Sequence, residues 1–218
     1  EHISPEKVGN TRRVLVSELS GASNIIEKIG RKFGIENDRE TIRKVLERVQ
    51  DLENQGFMFE SAEASLELIT RKILGLRKNF WKVDHWRAVN LNIRQRVQTS
   101  EGIIKLHIGD KTEHVVAEGN GPVDALGNAF FKALRPNYPA IDRMRLVDYK
   151  VRVVDPKAAT AARVRVIIEF LDEDTHQLFS TVGVSENIID ASWEALIDGV
   201  EYKLLCDLDR QNAPARPE

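Results

Sequence analysis

The chain has 218 residues, of which 42% are hydrophobic and 30% charged, with a formal net charge of −2. This is enough apolar material for one large domain or two small ones, and the near-neutral balance gives no general pull toward nucleic acid or an anionic membrane. A single cysteine, Cys206, excludes an intrachain disulfide and fits a reducing compartment, so cytoplasm is the expected location; no apolar run approaches the roughly 20 residues of a spanning helix.

The polar stretch from Glu1 to Arg13, with Pro5 and Gly9, reads as a connector, and its opening Glu1-His2-Ile3 resembles neither a signal peptide nor a fresh N-terminus, as expected of a fragment. Val14-Leu15-Val16 is a short apolar segment. The loop Ser17–Asn24 follows, and Asn24 with Glu27 has the spacing of a capping box for a helix buried through Ile25, Ile26, Ile29 and Phe33. Asp38 caps a second helix whose apolar face is Ile42, Val45, Leu46, Val49 and Leu52, ended by Gly56. Phe57-Met58-Phe59 reads as a hydrophobic anchor between helices, and Ala62, Leu66, Ile69 and Ile73 have the spacing of a third helix. Gly75–Asp84 marks the boundary where the period switches from helical to two.

Beyond it one pattern occurs twice. Val89, Leu91 and Ile93 alternate with polar neighbours, as do Ile104, Leu106 and Ile108; Gly109-Asp110-Lys111 then turns the chain into Thr112–Ala117. In the second copy Val147, Tyr149, Val151 and Val153 share one face, and Val164, Val166, Ile168 and Phe170 share the next. Asp172-Glu173-Asp174 makes the polar hairpin before Gln177–Val182. Each copy closes with an amphipathic helix, buried through Val123, Leu126, Phe130, Ala133 and Leu134 in one and Ile189, Trp193, Leu196, Val200 and Leu204 in the other. The Asp124-Ala125 and Asp190-Ala191 pairs lie 66 residues apart, so the chain holds two β-β-β-α units, each too small to bury its apolar face alone.

The helix starts carry the chemistry. Gly119-Asn120-Gly121-Pro122 leads into the first helix with proline at a favoured first-turn position, while Ser185 is read as the N-cap of the second. First-turn amides are unsatisfied donors, and glycine lets a ligand approach them, so a carboxylate suits such a place. From spacing alone, a tight turn that merely precedes a helix is the simpler description. The motif matches neither a phosphate-binding P-loop nor a dinucleotide fingerprint. The five histidines show no metal-ligand spacing with Cys206 or paired acids, His107 and His114 read as a surface cross-strand pair, and no nucleophile elbow follows any strand.

Three segments together, Val14–Asn24, Gly119–Ala125 and Val182–Ser192, resemble the C-terminal part of the isopropylmalate, homocitrate and citramalate synthase family, with citramalate synthase the nearest member. The likeness covers nearly the whole chain. It implies an α+β fold in which residues 1–78 form a helical linker and 79–208 a regulatory and dimerisation domain, with repeats at about 80–138 and 143–205 and a tail at 209–218. It further implies a missing barrel that condenses acetyl-CoA with a 2-oxo acid at a divalent metal. This fragment would then be inactive alone, hold no cofactor, and contribute no catalytic or metal-binding residue.

The implied partners are a second copy of the chain and an end-product amino acid, with no nucleic acid and no membrane. Ser17–Gly21 looks more like the citramalate synthase version, for which the substrate would be pyruvate and the effector isoleucine; the isopropylmalate version would take leucine. The effector residues implied are Gly119, Asn120, Gly121, Pro122, Val123 and Asp124, then Gly183, Ser185 and Ile188. The glycines would give approach, Val123 and Ile188 apolar contact, and Ser185 a polar one. Asp124 is open to two roles, capping its own helix or meeting the effector ammonium. An effector-free dimerisation module and an independent enzyme are the readings from other classes.

Overall fold

The computed structural model describes residues 22–91, 99–155 and 161–212. Val14–Val16, Ser17–Gly21, Ile93 and the last residues of the tail, 213–218, lie outside them.

Capping and apolar spacing account for the first three helices. Helix α1 (Ala22–Phe33) starts two residues before Asn24, which therefore sits within the helix instead of capping it; Ala22, a strong helix former, extends the first turn backward. Helix α2 (Arg39–Asn54) is capped as expected by Asp38, whose carboxylate accepts from Thr41 N at 3.1 Å and from Thr41 Oγ1 at 2.6 Å. Gly56, at φ +108°, lets the chain leave it. Helix α3 (Glu63–Ile73) buries far more than the expected stripe, including Ser65, Glu67, Thr70 and Arg71, because it is wedged between the other helices and the second repeat. Its buried charges are paired: Glu67 Oε1 accepts from Arg71 at 2.9 Å, and Glu67 Oε2 lies 2.7 Å from Lys32 Nζ.

The fold is α+β. The first sheet holds β1 (Lys82–Leu91), β2 (Thr99–Ile108) and β3 (Lys111–Gly119), the second β4 (Met144–Val153), β5 (Val164–Asp172) and β6 (Gln177–Ser185), each antiparallel in chain order. Helix α4 (Pro122–Leu134) follows the first sheet and α5 (Ile188–Asn212) the second. The repeat extends to its irregularities. The first strand of each sheet has a bulge at the same place, between Val83 and His85 in β1 and between Leu146 and Asp148 in β4.

That bulge resets which residues face inward. In β1 the core side is Val83, Trp86 and Ala88, and Val89, expected inside, is 37% exposed. In β4 Tyr149, Val151 and Val153 pair with Ile168, Val166 and Val164 and so share the core-side face. Val151 and Val153 nevertheless remain exposed because β4 is the sheet's edge.

Close approach of helix to sheet relies on glycine in both units. A Cβ on Gly102 would meet Ala125 O at 2.3 Å, and one on Gly183 would meet Ala191 O at 2.0 Å. The alanines of the two Asp-Ala pairs are thus where each helix lies against its sheet. Both units share one core, in which Leu126, Phe130, Val166, Phe170 and Val200 are essentially inaccessible. A second cluster joins Ile29, Val45, Val49, Leu52, Phe59 and Leu66 of the helical module to Val182 of β6, so β6 is covered on both faces. Helix α5 continues through Asn212. Asp209 pairs with Arg71, and Arg210 with Asp172 at 3.0 Å.

Candidate effector site

Helix α4 begins without a side-chain cap. Its N-cap is Gly121, Pro122 opens the first turn, and the first amide to bond back is Ala125 N, to Gly121 O at 2.9 Å. Helix geometry gives the earlier amides of Val123 and Asp124 no intrahelical acceptor. The turn is held by its own residues, since Asp124 Oδ2 accepts from Asn120 N at 2.8 Å and Asn128 Nδ2 donates to Glu118 O at 3.0 Å. Asp124 thus ties the turn ahead of the helix and does not cap an amide of α4 itself.

Above this turn lies a cleft of about 580 Å³. Asn120, Gly121, Pro122, Val123 and Asp124 form one wall with Gly127, Asn128 and Phe131. The other wall comes from the second repeat: Leu146 and Tyr149 of β4, Ile168 of β5 and Leu196 of α5. The lining is largely apolar, with the helix start and the Asn and Asp side chains at one end. A small molecule with a branched apolar body and an anionic head fits that arrangement.

The remaining expected site residues lie elsewhere. Gly119 packs beneath α4, where a Cβ would stand 2.4 Å from Ala125 N, so its smallness serves helix packing and not ligand approach. Gly183 does the same beneath α5. Ser185 is not the N-cap: α5 starts at Ile188, Asn187 Oδ1 accepts from Ile189 N at 2.9 Å, and Ser185 Oγ accepts from Asn187 N at 3.1 Å. Ser185 still belongs to β6, so the capping role falls to Asn187, a good capper two residues further on. Ile188 is 44% exposed and outside the cleft.

Comparing the two halves at the 66-residue offset explains why one opens and the other does not. Gly121 corresponds to Asn187, and Gly127 to Trp193. Tyr149 and Trp86 also correspond, each two residues past its strand's bulge. In the second half Trp193 lies 5.8 Å from Trp86 and 4.9 Å from Phe130, ring centre to ring centre, and Trp81 lies 5.2 Å from Phe130. Those rings fill the space that Gly127 and Tyr149 leave open. Leu146, Tyr149, Ile168, Leu196 and Gly127 were missed by sequence reasoning, although Gly against Trp at matched positions of a repeat was a readable signal.

A second cleft, of about 460 Å³, separates the helical module from α5 and contains Ser65, Arg77, Glu194 and Asp198. Ser65 Oγ donates to Asp198 Oδ2 at 2.9 Å and accepts from Val182 N at 3.1 Å. Burial pushes the Asp198 carboxyl up to about 7, against the lowering effect of the Ser65 bond. Burial also raises Glu194, which accepts from Val184 N at 3.0 Å. Arg77 pairs with buried Glu201 at 2.6 Å beside it.

Comparison with known proteins places the fold. The family model described as "LeuA allosteric (dimerisation) domain" matches residues 60–204. The chain belongs to this family. The chain is 46% identical over 207 residues to an (R)-citramalate synthase of Geobacter sulfurreducens, covering 94% of this chain and 39% of that protein. It is 43% identical over 210 residues to an (R)-citramalate synthase of Aquifex aeolicus, covering 95% and 39%. With the Sulfolobus acidocaldarius (R)-citramalate synthase the identity is 38% over 207 residues, covering 94% and 37%. The chain thus spans about two fifths of the length of these curated relatives. Among the described residues no group of three or more His, Cys, Asp or Glu is arranged to hold a metal ion, and no helix is long and apolar enough to cross a membrane.

Proposed function

We propose that this LeuA-type domain is the C-terminal regulatory and dimerisation region of a cytoplasmic citramalate synthase-like acyltransferase, and that the cleft at the start of α4 binds isoleucine as feedback inhibitor. The full-length protein would join acetyl-CoA and pyruvate into citramalate. The divalent metal and acetyl-CoA would belong to the catalytic barrel. The chain alone is expected to be inactive and to form a homodimer.

The observation that carries this reading is the pairing of an uncapped helix start with an apolar wall from the other repeat. The α-carboxylate would meet the first-turn amides, with the side chain against Val123, Leu146, Tyr149 and Leu196. Because the two walls come from different repeats, ligand binding favours the arrangement in which the repeats are closed on one another. Coupling of about 1 to 3 kcal/mol would suffice for strong feedback inhibition.

Calorimetric titration of the chain with isoleucine and leucine tests this. Isoleucine is expected to release or absorb heat and to raise the melting temperature, by about 2.7 kcal/mol of stabilisation at a hundredfold excess over Kd. Tighter binding of leucine would transfer the reading to an isopropylmalate synthase. No binding of either by a stable dimer would leave a dimerisation module.

A further inference from the structure

We propose that the chain carries a twin of the effector cleft at the start of α5, closed by its own Trp193, so that each chain binds one effector and not two. This rests on the effector reading of the open cleft.

Two separate features close the twin, and each has an open counterpart. The first is the helix start. Asn187 Oδ1 accepts from the Ile189 amide at 2.9 Å, whereas the corresponding N-cap, Gly121, has no side chain and an added Cβ there would meet nothing within 4 Å. A carboxylate at α5 would have to displace Asn187. The second is volume. Trp193 is 8% exposed and stands against Trp86 and Phe130, while at the matched places the open cleft has Gly127, Tyr149 and Leu196.

An indole is rigid and apolar, and here it occupies the position where the other half leaves room for a branched side chain. The chain therefore supplies to its second half, covalently, a substitute for the ligand its first half binds. Such a plug is always present, so only the first half responds to effector concentration.

The test is the stoichiometry of isoleucine binding to the full 218-residue chain. Wild type is expected to bind one equivalent per chain, and Asn187→Gly combined with Trp193→Gly to bind two. Two equivalents in wild type would overturn the proposal, as would a single equivalent in a double variant that still melts cooperatively. Should that variant fail to fold, Asn187→Gly with Trp193→Leu keeps apolar bulk in the core and is expected to show a second, weaker equivalent; its absence in the folded protein likewise overturns the proposal. Adding Gly127→Trp to this second variant should move binding from the first half to the second, leaving one equivalent. No binding of isoleucine or leucine to wild type would instead defeat the effector reading itself.

Discussion

The Tyr149 hydroxyl lies 2.6 Å from Ser192 Oγ, which in turn donates to Ile188 O at 2.5 Å, so the wall of the open cleft is bonded to the first turn of α5. Further along the same helix, Asp198 holds Ser65 of α3 and Glu201 holds Arg77. A group resting on the Tyr149 ring therefore acts on a helix whose far contacts reach the helical module. Tyr149→Phe keeps the ring and removes the bond. Stability is expected to fall by about 1 kcal/mol in urea unfolding. Isoleucine affinity of the isolated chain should change little, while inhibition of the full-length enzyme weakens.

Gly127 is the cheapest place to close the cleft. An added Cβ would contact only Leu196 Cδ2, at an ordinary 3.7 Å, and the rest of a longer side chain would enter the open space. Gly127→Leu is expected to reduce isoleucine affinity at least tenfold by calorimetry, with a melting temperature equal to wild type or higher, since glycine within a helix costs about 1 kcal/mol.

The glycines of the two turns should separate by role. At Gly183 a Cβ would stand 2.0 Å from the backbone oxygen of Ala191, so Gly183→Ala must push α5 off its sheet, and a loss of about 3 kcal/mol is expected in chemical unfolding. Gly121 is extended, at φ −164°, with nothing within 4 Å of a new Cβ. Gly121→Ala should cost under about 1 kcal/mol, as expected at an N-cap.

Asp198 gives the chain a stability that depends on pH. Its carboxyl is raised from 3.8 to about 7 in the folded protein, so between these values the folded state holds a proton that the unfolded state has lost. The contribution is therefore full below about pH 4, falls as pH rises toward 7, and is gone above it. The groups facing it are Ser65 from α3, Glu194 and Glu201 from α5, and Arg77; the two acids favour the protonated form and Arg77 opposes it. Asp198→Asn, which keeps an acceptor for Ser65, should remove this slope. Its stability relative to wild type should be near equal at about pH 4 and greater by a few kcal/mol at pH 8, measured by urea unfolding at both.

What could be read from the residues was whatever recurs or follows from neighbours. The paired Asp-Ala steps revealed the duplication, and the alternation of Val164 to Phe170 revealed a strand buried on one face. Asp38 was legible because an N-cap acts three residues ahead of itself. The inward side of β1 was misread because Val89 is apolar yet stands on the outer face, while Trp86 and the small Ala88 reach the core. Half of the cleft was invisible for a different reason: Leu146, Tyr149, Ile168 and Leu196 reach it only when the second sheet and α5 pack against α4. Lys203 was invisible too. A lysine next to Leu204 reads as surface, yet its side chain is wholly inaccessible and its ammonium sits 2.7 Å from Asp172, 2.9 Å from Asp174 and 3.1 Å from Asp207.

Because α3 roofs β6, the break near residue 78 is a seam in the chain's pattern and not in its energetics. A truncation beginning there would strip Leu66, Phe59 and Ser65 from Val182 and leave the β6 edge bare, with Val184 and Ile167 turned to water. Unroofed strands of that kind recruit other strands, and such a truncated product should precipitate where the longer chain stays dispersed.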